Sequence, residues 1–383
     1  MFAYGIFKVI YSPFKAFKEI IKNPKYMGPI LIMILFIVAN VGFSYVLLSK
    51  TYFDQTMPPA SELDKWTEDT TFWNSNATII LSTSDYINGS YYGNKSIEFS
   101  LVSGSQIWMQ LNITNSLNCS DPEGYKTLSF RLKLIEPLTK PTNASLYLLS
   151  TQLQDNFYNN LTDKLNETSI WNNITISLGS GWTPSNTNAD WGNITGLKLE
   201  FTWPIGSNIT LLIDGLFFHG VYKSRIESAG GLLISSPINA FMEFTIQWVI
   251  LGGLLYIIPK MFRVKTVWKT LLITAGFALI TIFIQIIVFT AVLFTWSELR
   301  YPLEYLGGVP GEWQTAYIQV VGPVPTILLY IERVIYIWTI ALCATALRLM
   351  FTFSWVKSLF VSALSYLFSL LIFRFLIYGT FWL

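Results

Sequence analysis

Polar and apolar positions divide the chain into a period-two block, residues 51–230, between flanks that hold long apolar runs. Between Lys25 and Lys50 no charge occurs, and PILIMILFIVANVGFSYVLLS forms a first span at 29–49. A crossing helix needs about 20 apolar residues. Four further runs meet that requirement at about 238–258, 270–296, 325–347 and 356–378, within a membrane part covering 236–383. The first run is too long for a signal peptide, and no small-residue cleavage site follows it. WQTAYIQVVGPV (313–324) is also uncharged, but Gly322, Pro323 and Pro325 break it. It is expected to be an interfacial piece of an external loop, 297–324.

In the central block, SIEFSL sets Ile97, Phe99 and Leu101 on one face. IWMQLNI does the same with Ile107, Met109, Leu111 and Ile113, and LSFRLKL with Leu128, Phe130, Leu132 and Leu134. NITISL, ITGLKLEFTW and NITLLIDGLFF follow, separated by Gly, Pro, Asn and Ser. Many short alternating strands with turn signals predict an all-β sandwich over 50–235. The expected fold class is thus a membrane α-helical bundle of five transmembrane helices with an inserted extracellular jelly-roll sandwich.

Charge supports that division. Residues 51–230 hold ten basic and seventeen acidic residues, a net of −7, and the remainder carries +9. Overall only 13% of residues are charged and 52% are hydrophobic, against about 25% charged in soluble domains. A disordered chain, a coiled coil and a solvated nucleic-acid-binding protein are excluded. Lysines 8, 15, 18, 22 and 25, the group Lys260, Arg263, Lys265 and Lys269, and the pair Arg348 and Lys357 fall on one side only if there are five spans. By the positive-inside rule that side is cytoplasmic, which makes the C-terminus and the large domain external.

Asn-X-Ser/Thr acceptors occur at Asn76, Asn88, Asn94, Asn112, Asn118, Asn143, Asn160, Asn166, Asn173, Asn193 and Asn208, all inside the central block. Their clustering matches the topology read from charge and predicts N-linked glycans. In the Asn-Ile-Thr triplets at 112, 173 and 208, alternation sends isoleucine inward and asparagine outward. Glycosylation without a cysteine framework suggests an archaeal plasma-membrane protein at the cell surface.

The order WNNITISL (171–178), DWGNITGLKLEF (190–201) and NITLLIDGLFFHG (208–220) resembles a galactose-binding-like jelly roll, the fold of many carbohydrate-binding modules. The resemblance covers about 60–222. It implies that Asp214, in the closing strand, helps to hold a structural calcium; a hydrogen-bonding strand-end aspartate is the competing reading. No other cofactor is expected.

The N-terminal IFKVIYSPFKAFKEIIKNP places Ile6, Phe7, Ile10, Phe14, Phe17, Ile20 and Ile21 at helical spacing with lysines between them. Over 1–28 this predicts an amphipathic basic helix, interrupted at Pro13, lying in the cytoplasmic interface. With IYIWTIALCATALRLMFTFSWVKSLFVSALSYL (335–367), it resembles the prokaryotic branch of the Yip family of five-span membrane proteins. The large insert departs from that family, and the resemblance implies a fold rather than a task.

Little in the sequence points to catalysis. No phosphate loop, HExxH or serine-hydrolase elbow occurs. The lone His219 is expected at a surface turn, and Cys119 and Cys343 belong to different compartments, so no disulfide is expected between them. Trp182, Trp191 and Trp203 could stack on sugars if exposed, although a core role is expected for at least one. Glu243, Glu332, Arg333 and Arg374 fall near external span ends and are expected to form an ion pair, for example Glu243 with Arg333 or Arg374. The function expected is a non-enzymatic surface glycoprotein presenting a jelly roll to carbohydrate or protein. The alternative is an accessory subunit of an exporter, a respiratory complex or a surface-layer attachment, with a transporter less favoured. Partners are the lipid bilayer, N-linked glycans and other membrane or surface proteins, and no nucleic acid. The linker SAGGLLISSP is expected to flex at Gly230 and Gly231.

Overall fold

The computed structural model describes residues 2–150, 155–165 and 167–379. They form two compact units, one of residues 1–51, 224–298 and 321–383 and the other of 52–223 and 299–320.

The first unit is helical. It contains α1 (Phe2–Tyr11), α2 (Pro13–Lys22) and α3 (Met27–Lys50). The second unit contains the short α4 (Lys65–Glu68). The helical unit resumes with α5 (Gly230–Met261), α6 (Trp268–Ala278) and α7 (Ile280–Thr295). Helices α8 (Leu303–Leu306) and α9 (Glu312–Val321) precede α10 (Val324–Phe351) and α11 (Trp355–Tyr378). Among the described residues, five stretches are helical, long and apolar enough to cross a membrane: Met27–Lys50, Gly230–Met261, Trp268–Thr295, Val324–Phe351 and Trp355–Ile377.

The N-terminal segment is interrupted at Pro13 as expected, and forms two helices because Pro13 starts a new helix at its N1 position. The apolar face of those helices is not wholly left to lipid. Ile6, Val9, Ala16, Phe17 and Ile20 are buried in the bundle core, and among the described large apolar side chains Phe7, Tyr11 and Phe14 stay exposed. The expected hinge at Gly230 and Gly231 is the first turn of α5, since helical hydrogen bonding extends several residues upstream of the apolar run.

The second unit is β. Its strands are β1 (Thr51–Met57), β2 (Trp73–Ser75), β3 (Thr78–Ser82), β4 (Ser96–Leu117), β5 (Thr127–Glu136) and β6 (Asn143–Leu149). They continue as β7 (Asn156–Asn160), β8 (Trp171–Ser177), β9 (Thr183–Pro184), β10 (Ile194–Ser224) and β11 (Leu299–Tyr301). Two long strands organise it. The first half of β10 pairs with β4 at Ile107–Leu117 and with β6, and β2, β7 and β9 complete a first layer. The second half pairs with β4 at Ile97–Leu101 and with β5, and β3 and β8 complete a second layer. Register slips between Thr202 and Ile209 mark the corner where β10 passes from one layer to the other.

Alternation is obeyed closely. Ile97, Phe99, Ile107, Met109, Leu111, Leu128, Phe130 and Leu132 are all buried, in one core shared by both layers. Ile113, Ile174 and Ile209 also turn inward, while Asn112, Asn173 and Asn208 are exposed.

The stretch read as an external loop, 297–324, is corrected. Leu299–Tyr301 is a strand beside β1, and residues 299–320 belong to the β unit. Leu303 joins Ile87, Tyr92 and Phe217 in a small second core over the outer face of the second layer. Local periodicity could not reveal this, because the partners lie more than eighty residues away in sequence.

Candidate functional site

The outer faces of the two layers differ. On the second layer, Lys133, Arg131 and Ser129 of β5 are each taken up by a partner within the unit. Lys133 Nζ lies 2.6 Å from Asp85, which also accepts from the Trp171 indole at 3.1 Å. Arg131, 6% exposed, donates to Glu312 at 2.6 Å and lies 4.9 Å from the centre of the Tyr92 ring. Burial pushes the Tyr92 hydroxyl up to about 12.

Next along β5, Ser129 Oγ is 2.6 Å from His219 Nε2, and His219 Nδ1 is 2.7 Å from Asp54 Oδ2. His219 therefore lies within β10 and joins β1 to β5, a bridging role in place of the surface or turn residue expected at a strand end. A cavity of about 300 Å³ lies beside it, lined also by Thr175, Tyr222 and Glu304. Serine, histidine and aspartate in this order form a proton relay. Acyl transfer also needs amide donors aimed at a developing oxyanion. Ser129 lies in a strand laddered on both sides, by β10 and β8, so the backbone beside its hydroxyl is engaged in the sheet. The relay is suited to holding strands together.

Asp214 is fully buried next to Asp64. Its carboxylate accepts from Ile87 N at 2.6 Å and Gly215 N at 2.7 Å. Asp64 Oδ2 accepts from Thr67 Oγ1 at 2.7 Å and Gly215 N at 3.1 Å. Gly215 makes this possible at φ +58°, in the bulge of β10; a Cβ there would lie 2.3 Å from the Tyr92 ring. Burial and the neighbouring Asp64 push Asp214 up to about 9, and burial likewise raises Asp64. Calcium takes roughly six to eight oxygen ligands. Here two carboxylates meet, three of their four oxygens already accept from N–H or O–H groups, and only Asp64 Oδ1 is left without a partner. The donor set does not fit the calcium implied for Asp214; it fits a carboxyl–carboxylate pair sharing a proton.

The outer face of the first layer is open to a ligand. Strand register places Lys198 of β10 between Gln110 of β4 and Tyr147 of β6, with Tyr158 of β7 beyond. Trp108 of β4 stands opposite Glu200. Trp108, Tyr147, Tyr158 and Lys198 are all partly exposed. Lys198 Nζ lies 5.4 Å from the Trp108 ring centre and 5.8 Å from that of Tyr147, and the Tyr147 and Tyr158 rings are 5.4 Å apart. Glu200 accepts from Lys198 at 2.8 Å and from Gln106 at 2.5 Å. Four strands at roughly 4.8 Å spacing make a ridge about 15 Å long. Aromatic faces can stack on the C–H faces of a sugar ring while carboxylate, amide and ammonium groups take its hydroxyls.

The three tryptophans expected to stack on sugars are placed elsewhere. Trp203 is 3% exposed and donates to Thr139 O, and Trp182 is 8% exposed and donates to Ser177 O. Trp191 is stacked on Phe157 at 3.9 Å. Each supports the core. The outward place of Trp108 is legible in the alternation: in IWMQL, if Ile107 and Met109 point inward, Trp108 points outward.

Among the acceptors, Asn76, Asn88, Asn94, Asn112, Asn143, Asn160, Asn173 and Asn208 are exposed, and Asn118 and Asn193 are half-buried. Asn166 lies outside the described residues. Cys119 and Cys343 are both buried and free, and burial pushes the Cys119 thiol up to about 12.

In the helical unit, Arg374 pairs with Glu332 at 3.4 Å. Glu243 is paired with neither Arg333 nor Arg374. Arg333 is exposed, 6.0 Å from the centre of the Tyr336 ring.

No family model matches the chain, and no curated protein matches it. Among solved structures, the family 11 carbohydrate-binding module from Clostridium thermocellum, in complex with a β-1,3-1,4-mixed-linked tetrasaccharide, is similar at 12% identity and a TM-score of 0.28. That match covers 40% of this chain and 92% of the module. The family 30 module of the cellulosomal cellulase Cel9D-Cel44B of the same organism matches at 12% identity and a TM-score of 0.30, over 40% and 91%. A β-1,2-glucanase from Parabacteroides distasonis matches at 15% identity and a TM-score of 0.28, over 43% of this chain and 22% of the enzyme. At these scores the likenesses assign no ligand to this chain.

Proposed function

We propose that this protein is a non-enzymatic, membrane-anchored surface glycoprotein that binds an oligosaccharide along the Trp108–Lys198–Tyr147–Tyr158 ridge. One observation carries the reading: three aromatic rings, an ammonium, a carboxylate and several amides lie in register across four strands on a face the unit leaves open. The apolar helices supply the anchor, with the N-terminus cytoplasmic and the β unit outside. Asn112, Asn143 and Asn160 border the same face, so glycans carried there would limit which oligosaccharides reach it.

The test is binding of the full chain in detergent to an oligosaccharide array. Trp108→Ala and Tyr147→Ala are each expected to weaken binding about tenfold or more, the loss typical of truncating an aromatic anchor. Trp191→Phe, a change within the core, is expected to leave it unaltered. Absence of binding by the unaltered chain, or equal binding by the Trp108 and Tyr147 variants, would refute the reading.

The non-enzymatic part has its own measurement. Ser129 is expected to resist a fluorophosphonate probe, because the backbone beside it is engaged in the sheet on both sides. Covalent labelling of Ser129 that disappears in His219→Gln would make the relay catalytic.

A further inference from the structure

Within the helical unit lies a cavity of about 480 Å³ whose lining is mixed. Glu243, Gln247, Gln285, Glu332 and Arg374 supply its polar wall, and Phe36, Tyr336, Tyr366 and Phe373 its aromatic one. Glu332 is occupied: it accepts from the Tyr336 hydroxyl and pairs with Arg374 at 3.4 Å. Glu243 is different. It lines the cavity with no hydrogen bond or ion pair among the described residues, and so does Gln247, which is only 4% exposed. Glu243 lies about 8 Å along the helix axis from residue 238, where the apolar run begins. An ionisable side chain within an apolar run faces a large cost unless a counter-charge or water meets it.

The free groups define what would fit. One carboxylate without a counter-ion calls for a positive charge. Two glutamine amides offer donors and acceptors beside it, and the aromatic rings offer faces that attract a cation. At about 480 Å³ the space is far larger than a bare ion needs. We propose that this cavity binds a small organic ammonium ion, with Glu243 as its counter-ion and Gln247 and Gln285 as its hydrogen-bonding walls. The ammonium could be carried by a soluble amine or by an aminolipid headgroup; the chemistry of recognition is the same. This site lies in the helical unit and does not depend on the sugar-binding ridge.

The experiment uses the full chain in nanodiscs of phosphatidylglycerol, which has no amine. Dicyclohexylcarbodiimide, which modifies membrane-embedded carboxyls, is added, and labelling of Glu243 is read by peptide mass spectrometry. Glu243 is expected to be labelled, and millimolar phenethylammonium chloride to lower the labelling at least tenfold. Sodium chloride at the same concentration is expected to leave it unchanged. Gln247→Leu, which keeps the carboxylate but removes one polar wall, is expected to raise the amine concentration needed for protection at least tenfold. A parallel arm replaces part of the lipid with phosphatidylethanolamine. Protection by the soluble amine assigns the site to a solute, and protection by phosphatidylethanolamine alone assigns it to a headgroup; either supports the proposal. It is overturned if Glu243 is not labelled in amine-free discs, or if neither amine protects it. Equal protection by sodium, or equal protection of the Gln247→Leu variant, would overturn it as well.

Discussion

Glu312→Leu is expected to destabilise the β unit by about 3–5 kcal/mol, and Arg131→Met by clearly less. The asymmetry comes from burial. Arg131 is 6% exposed, whereas the Glu312 side chain is 36% exposed. Removing Glu312 leaves a buried guanidinium with only the Tyr92 ring and hydroxyl beside it. Removing Arg131 leaves a carboxylate that water can reach, so the loss there is mainly one ion pair and one cation–π contact, of order 1–2 kcal/mol. The double variant is expected to be close to Arg131→Met alone, because the stranded charge is gone. Hydrogen exchange of the β5 and β10 amides reads the stability of this region directly. If Glu312→Leu cost no more than Arg131→Met, the pair would not be anchoring the 299–320 segment as described.

A second large effect concerns pH. Asp214 is raised in the folded state from the ordinary 3.8 to about 9. Between those values the folded state holds a proton that the unfolded chain releases. Stability from this group is fully present below about pH 4 and is lost progressively as pH rises towards 9, with a limiting slope of about 1.4 kcal/mol per pH unit. Asp69, lowered by its hydrogen bonds from Thr71, acts in the opposite sense only at acid pH, so the window from about pH 5 to pH 8 reports on the buried pair. The β unit is therefore expected to lose stability across that window, by several kcal/mol in total. Asp214→Asn carries no charge at any pH and is expected to abolish the slope, leaving the variant at least as stable as the parent at pH 8. Chelation with EDTA is expected to change neither. A flat profile in the parent, or a loss of stability on chelation, would restore the metal reading of Asp214.

Much of the architecture follows from short-range pattern. Apolar runs and the placement of lysines and arginines mark the five long helices. Period-two alternation sorts Ile107 and Met109 from Trp108, and Ile209 from Asn208, because a side chain's face in a strand depends only on its parity. By the same rule the outward positions of Tyr147 and Tyr158 are legible in SLYLL and NFYNN. What parity does not encode is adjacency. That Trp108, Lys198, Tyr147 and Tyr158 form one ridge depends on the pairing of β4, β10, β6 and β7, and the register of those pairs is set by packing of the shared core. The same holds where Asp64 meets Asp214, where His219 joins Ser129 to Asp54, and where residues 299–320 enter the β unit. These contacts join residues 90 to 181 positions apart. The helical bundle repeats the lesson. Composition marks Glu243 as a charge near one end of a span, but whether it finds a partner depends on how α5, α10 and α11 pack. In the tertiary structure, Arg374 falls to Glu332 and Glu243 is left facing a cavity. Local sequence determines which face each side chain takes; only the folded chain determines what stands opposite it.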